Sequence, residues 1–171
     1  GPPLGARIRA AGGGGIEASD ALWRACGLWR PWNDPVKDIA FCRAATDAEL
    51  FVAVAADKLV GTVMCGHDGH RGWVYYLAVD PGMQRQGLGR RLMRHAEGWL
   101  RRRGAPKCQL MIRHGNRAVE AFYEALGYAH SDVSVMERFL DKEARSARGK
   151  ARKEGAKTGP DKIEVVTTYL E

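Results

Sequence analysis

"QRQGLGRRLMRHAEGWL", residues 84–100, sets two glycines among arginines and then takes up helical spacing. Leu88, Leu92, Ala96, Trp99 and Leu100 recur every three or four residues. Arg90, Arg91, Arg94, Arg101 and Arg102 fall mostly elsewhere, so one face is predicted buried and the other solvated. The start of such a helix has free N–H groups and a partial positive charge. Gly87 and Gly89 allow backbone to approach a ligand with no Cβ between. With Arg85 and Arg90 they predict a cradle suited to a pyrophosphate. The phosphate loop GxxxxGK[ST] is excluded, because no Lys-Ser/Thr follows. The dinucleotide GxGxxG is excluded too, since Gly87-Leu88-Gly89 runs on into two arginines and a leucine. A tight strand-to-helix turn is the alternative use of these glycines.

Upstream, the period is that of strands. "LFVAVAA" (50–56), a turn at Asp57-Lys58 and "LVGTVMCG" (59–66) read as a β-hairpin, and "GWVYYLAV" (72–79) as a third strand ending at Asp80-Pro81-Gly82. Before them, "RIRAA" (7–11) reads as a short strand and Glu17–Leu28 as a helix with Ser19 or Asp20 near its start. After the connector "RPWNDP" (30–35), Asn33 or Asp34 caps a second helix to about Ala45. Downstream, the central helix closes at Gly104 and Pro106. "KCQLMIR" (107–113) reads as a strand, Asn116 caps a helix through Leu126, and "SVMERFL" (134–140) reads as a last strand. The pattern is α+β, a mixed central sheet flanked by helices in a single domain.

With 171 residues the chain is long enough to bury one core, and its longest apolar run, Leu50–Ala56, is too short to span a membrane. The expected location is cytoplasmic. Residues 1–6 read as a processed, truncated or cloning-derived start, 7–140 as the domain, and 141–171 as a basic tail. Residues 141–162 hold eight Lys/Arg against four Asp/Glu and read as a solvated tail or frayed helix, while "IEVVTTYL" (163–170) has strand composition. Cys26, Cys42, Cys65 and Cys108 form no CxxC pair and read as small buried apolar residues. The net charge of +7 admits a nucleic-acid partner, but much of it lies in the glycine loop and the tail, without interleaved aromatics. An anionic small molecule is the better match. A second copy of the chain is left open as a partner.

Two stretches carry a family resemblance. "LAVDPGMQRQGLGRRLM" (77–93) resembles the Q/R-x-x-G-x-G/A signature of the GNAT acetyltransferases, and "NRAVEAFYEALGY" (116–128) is similar to that family's N-x-x-A-x-x-x-Y-x-x-x-G-[FY] segment. They stand in the family's order, about a helix and a strand apart. "RPWNDP", "GTVMCGHDGHRG" and "YYLAV" look most like the YpeA-like bacterial branch; the ribosomal-protein alanine acetyltransferases share "AVDP…QRQGLGR". The resemblance implies a GNAT fold and an N-acetyltransferase using acetyl-CoA as co-substrate toward an amine of a protein or small molecule. It further implies that backbone of Leu77, Ala78 and Val79 bonds the pantetheine arm. Arg85, Gln86, Gly87, Leu88, Gly89 and Arg90 would hold the pyrophosphate, and Asn116 would bond the arm.

Acetyl transfer needs a neutral amine, a polarised carbonyl and a proton for the leaving thiolate. Tyr123 stands at the family's acid position; packing of its ring in the core is the alternative. Where related enzymes carry a glutamate base, this chain has Trp73 and Met111, neither of which accepts a proton. Deprotonation would then pass through ordered water, held by backbone or by Tyr75, or the substrate amine would already be partly neutral, with His67 or Asp68 as weaker water-mediated candidates. No metal is expected, since His67, Asp68 and His70 alone do not make a tetrahedral set. Trp29, Pro31, Trp32 and Asn33 either shape an acceptor pocket or close a small core. A non-catalytic acyl-CoA-binding module on the same fold is the second reading, supported by the missing carboxylate.

Overall fold

The computed structural model describes residues 5–12 and 15–154. Five strands form one mixed sheet in the order β1 (Arg7–Ala10), β2 (Ala48–Ala55), β3 (Lys58–His67), β4 (Gly72–Val79) and β5 (Cys108–Gln109). The first three pairings are antiparallel and β4–β5 is parallel. Helices α1 (Ile16–Ala25) and α2 (Pro35–Ala44) precede the meander, α3 (Leu88–Arg102) crosses from β4 to β5, and α4 (Arg117–Ala125) and α5 (Lys142–Lys153) follow.

Local chemistry accounts for most boundaries. Asp34 accepts from the Val36 and Lys37 amides at 2.9 and 3.3 Å, and Pro35 fills the first turn of α2. Helix α3 buries Leu88, Leu92, Met93, Ala96 and Leu100 against the sheet. Contact there is so close that a Cβ on Gly61 would lie 2.9 Å from Leu92 Cδ1. Trp23, Ile39, Leu50, Leu77 and Val74 fill the interior around this seam.

Several sequence expectations are corrected. The hairpin turn is Ala56-Asp57 rather than Asp57-Lys58, both residues having positive φ (49° and 63°). A two-residue connection of right-handed twist demands that conformation at both centres, and Asp supplies it more readily than Lys. Helix α1 starts after Gly15 and ends at Ala25, three residues short of Leu28. The strand expected over 107–113 pairs only at Cys108 and Gln109, because β4 bends away beyond that point. Residues 134–140 form no strand: Val135, Met136 and Leu140 are exposed. With β5 so short, an alternating pattern there finds no ladder to join. Within 141–162, Lys142–Lys153 is a helix capped by Asp141, whose carboxylate accepts from Glu143 and Ala144 amides. An exposed Lys37–Glu143 ion pair at 3.6 Å joins its first turn to α2, and Ala151 is buried. "IEVVTTYL" lies outside the described residues.

Candidate active site

The site begins with a defect in β4. Met64 stands opposite Tyr75 and Thr62 opposite Ala78, so Tyr76 and Leu77 together oppose Val63 in a bulge. Tyr76 takes φ 51°, a left-handed conformation that costs a bulky residue about 1–3 kcal/mol unless its surroundings impose it. Four contacts do so. The Thr62 hydroxyl donates to the Tyr76 carbonyl at 2.7 Å and accepts from Trp23 Nε1 at 2.9 Å. The Trp23 and Tyr76 rings stack at 3.9 Å, and the Tyr76 hydroxyl donates to Asp38 Oδ2 at 2.5 Å. Burial raises the Asp38 carboxyl, partly offset by that hydrogen bond, and burial with the adjacent Asp38 charge raises the Tyr76 hydroxyl well above its ordinary value.

β4 runs on to Val79, whereas its parallel pairing with β5 is confined to Gly72–Cys108 and Trp73–Gln109, which leaves Leu77, Ala78 and Val79 without a β5 partner. The Val79 carbonyl already accepts from Gln84 Nε2 and from the Cys26 thiol, each at 3.2 Å. Past Val79 the chain turns through residues 80–87 into α3. Gly87 takes φ 79° as the residue before the helix, with no side-chain cap and no acidic residue in the first turn. Arg85 is also left-handed, at φ 64°; Arg85, Gln86 and Arg90 are exposed, whereas Leu88 and Gly89 are buried. No acidic side chain in the first turn offsets the dipole of this long helix.

Helix α4 supplies the opposite wall. Asn116 caps it, accepting from the Val119 amide at 3.3 Å, and its Nδ2 is buried without a partner among the described residues. Tyr123 follows two turns later, on the same face. It is 1% exposed, and its hydroxyl likewise is buried with no partner. Its ring makes edge contacts with Phe122 (5.0 Å) and Tyr128 (5.6 Å). Burial first, and the neighbouring Cys108 second, push the Tyr123 hydroxyl well above its ordinary range, so it keeps its proton at neutral pH. Tyr128 itself donates to Glu97 Oε2 at 2.6 Å, tying the end of α4 to α3.

The loop histidines and the tryptophans of the first connector are placed differently. Asp68 caps its own turn, accepting from the His70 and Arg71 amides at 2.9 and 2.7 Å, which hold its carboxyl below the usual range. Trp73 Nε1 donates to the same carboxylate at 3.3 Å. A carboxylate so held is a poor proton acceptor. His67 faces Asp47 at 3.5 Å. Trp29 lies under Arg24, whereas Trp32 lies near the β5–α4 connector, where the Arg113 guanidinium sits 5.9 Å from its ring centre. All four cysteines are free; burial pushes Cys26, Cys42 and Cys108 each up to about 11 and Cys65 higher still. Trp23, Thr62 and Asp38 are not legible as site residues, since nothing local in the sequence signals them.

The profile of the acetyltransferase (GNAT) family matches residues 17–128, which spans the bulge, the glycine turn and both orphaned donors. The chain belongs to that family. Among solved structures, this GNAT chain is similar to the ribosomal-protein-S18-alanine N-acetyltransferase from Escherichia coli. Identity is 25% and the TM-score 0.64, over 73% of this chain and 78% of that one. AAC(6')-Iy, solved with the bisubstrate analogue CoA-S-monomethyl-acetylneamine, is 17% identical with a TM-score of 0.68, over 80% and 99%. An aminoglycoside 6'-N-acetyltransferase from Acinetobacter haemolyticus is 17% identical with a TM-score of 0.64, over 79% and 99%. At 17% identity the last two speak for the fold.

Proposed function

We propose that the protein is an acetyl-CoA-dependent N-acetyltransferase of the YpeA-like branch that passes the acetyl group directly to an amine in a ternary complex, acting in the cytoplasm. The observation that carries this reading is the pair of buried, unpartnered donors, Asn116 Nδ2 and Tyr123 OH, on one face of α4. Buried polar atoms without partners are rare in folded proteins and mark where a ligand supplies the missing acceptor. The residues fit an extended thioester: an uncapped, positively charged helix start for the pyrophosphate, bulged backbone for the arm, and Asn116 beside it. When bound, acetyl-CoA supplies the thioester carbonyl that the amine attacks.

Arg85 and Arg90 with the Gly87–Gly89 amides would hold the diphosphate charge. Leu77 and Val79 would orient the arm through backbone groups, whereas Ala78 is paired to Thr62 of β3 and the Val79 carbonyl is engaged by the protein itself. Tyr123, kept neutral by burial, holds the proton that the departing sulfur needs. No side-chain carboxylate stands at position 73 or 111, so the amine loses its proton to water. Release of free thiol across a panel of amines tests the reading: turnover with at least one amine is expected. Tight acetyl-CoA binding without turnover on any amine would favour the second reading, a non-catalytic acyl-CoA-binding module, which the residues Trp73 and Met111 support.

A further inference from the structure

Resting on that reading, we propose that the near-parallel rings of Trp73 and Tyr75 form the acceptor seat, so that the amine acetylated carries a flat aromatic group a short carbon chain from its nitrogen. The two faces of the sheet are divided between cofactor and acceptor. A Cβ on Gly61 would lie 2.9 Å from Leu92 Cδ1, and one on Gly72 2.9 Å from Leu100 Cδ1, so both positions turn toward α3. The Tyr123 ring makes its edge contact with Tyr128, whose hydroxyl donates to Glu97 of the same helix. The glycine cradle and Tyr123 therefore belong to the α3 side. Side chains alternate along a strand, which turns Trp73 and Tyr75 to the opposite face. Register agrees: Tyr75 stands opposite Met64, two residues on from Thr62, whose hydroxyl meets Trp23 of α1.

On that face the two rings stack with centroids 6.5 Å apart and planes 17° from parallel. Trp73 Nε1 donates to Asp68, which the His70 and Arg71 amides hold in turn, and this fixes the indole in place. Both rings are half-buried. Among the described residues neither joins the core or the apolar side chains packed on it, whereas their neighbours Met64, Val74 and Tyr76 do. Trp73 pairs with Gln109 at the last position where β4 and β5 meet, and Tyr75 is the next residue on its face. From Tyr75 to Leu77 is roughly 6–7 Å along the strand, which a ring on a two-carbon chain spans. Burial, and then the Asp68 charge, raise the Tyr75 hydroxyl above its ordinary value, so both rings are uncharged at neutral pH. Such faces favour a further flat ring in offset stacking. An apolar seat also disfavours the ammonium form, which suits a chain with no carboxylate at position 73 or 111.

A matched series tests the seat: 2-phenylethylamine, 2-cyclohexylethylamine, ethylamine and ethylenediamine differ only in the group on the second carbon. The full chain is assayed for thiol release, and binding of each amine is measured by calorimetry on the protein saturated with CoA. 2-Phenylethylamine should bind and react on the order of 10- to 100-fold better than ethylamine, as one stacked and buried ring provides, with the cyclohexyl compound between them and ethylenediamine poorest. Trp73→Ala and Tyr75→Ala should remove the preference through KM, with acetyl-CoA affinity as the folding control. Trp73→Phe and Tyr75→Phe, which keep a flat ring, should retain most of it. Equal binding of ethylamine and 2-phenylethylamine overturns the proposal, as does a cyclohexyl compound that binds as well as the phenyl one. A preference for ethylenediamine, or a ring preference that survives both alanine substitutions, overturns it too. Arylalkylamines that bind selectively but are never acetylated would overturn the transferase reading and leave the seat standing; acetylation without ring preference would do the reverse.

Discussion

Thr62→Val is the substitution that probes how the bulge is held. The side chains are nearly equal in volume, but Val has no hydroxyl. Two groups lose their partner: the Tyr76 carbonyl, now at 2.7 Å, and Trp23 Nε1, at 2.9 Å, in a position where Thr62 is fully buried. Leaving a buried donor or acceptor unmet costs about 1–3 kcal/mol each, so a loss of about 2–6 kcal/mol is expected. For a chain of this size that lowers Tm by about 4–24 °C. The left-handed Tyr76 (φ 51°) also loses one of its restraints, and relaxation of the bulge would move Leu77 and Ala78 out of position. Calorimetric melting and acetyl-CoA titration measure both effects, and Thr62→Ser, which keeps the hydroxyl, should retain most of each. Unchanged Tm and unchanged acetyl-CoA affinity in Thr62→Val would refute the reasoning.

Gly87→Val places a β-branched residue at φ 79°; acetyl-CoA affinity measured by calorimetry should fall at least about 10-fold, with strain of about 1–3 kcal/mol visible as a lower Tm. Asp38 has a raised carboxyl pKa, so its contribution to stability is full below its unfolded value of 3.8 and is lost as pH rises through the higher folded value. Asp38→Asn keeps an acceptor for Tyr76 without the buried charge. Its Tm relative to the wild type should therefore be highest near neutral pH and fall as pH drops toward 3.8, a trend checked by melting across pH. Truncation after Leu140 removes α5 but none of the residues assigned to the cofactor, so titration should find acetyl-CoA affinity retained while the buried Ala151 contact is lost.

The meander, the helix caps at Asp34 and Asn116 and the glycine turn were legible because each depends on residues close in sequence. Asp34 is followed by Pro35, and Asn116 stands just before an amphipathic run; both signals are local. The bulge is not legible from residue pattern, since it is a count of residues across two strands. Its support is longer in range still: Trp23 to Thr62 spans 39 residues and Asp38 to Tyr76 spans 38. Residues 134–140 show the opposite failure. Alternation in "SVMERFL" is a strand pattern, but a strand needs a free ladder, and β5 offers only Cys108 and Gln109. The basic segment after it reads by composition as a solvated tail or frayed helix, and with its Asp141 cap it forms the largely exposed helix α5.

The central claim is that Tyr123 supplies the proton to the leaving thiolate and that no protein carboxylate removes the amine proton. It is tested most directly by Tyr123→Phe in the full chain, with kcat followed across pH and acetyl-CoA affinity measured in parallel. A buried hydroxyl with no partner and a strongly raised pKa is the arrangement of a neutral acid. Its removal should lower kcat by about 10²–10⁴-fold with affinity little changed. Wild-type rate should climb toward the pKa of the acceptor amine, with no limb at about pH 4–6 from a carboxylate. Full activity in Tyr123→Phe, or an acidic limb that disappears in Asp68→Asn, would contradict the account.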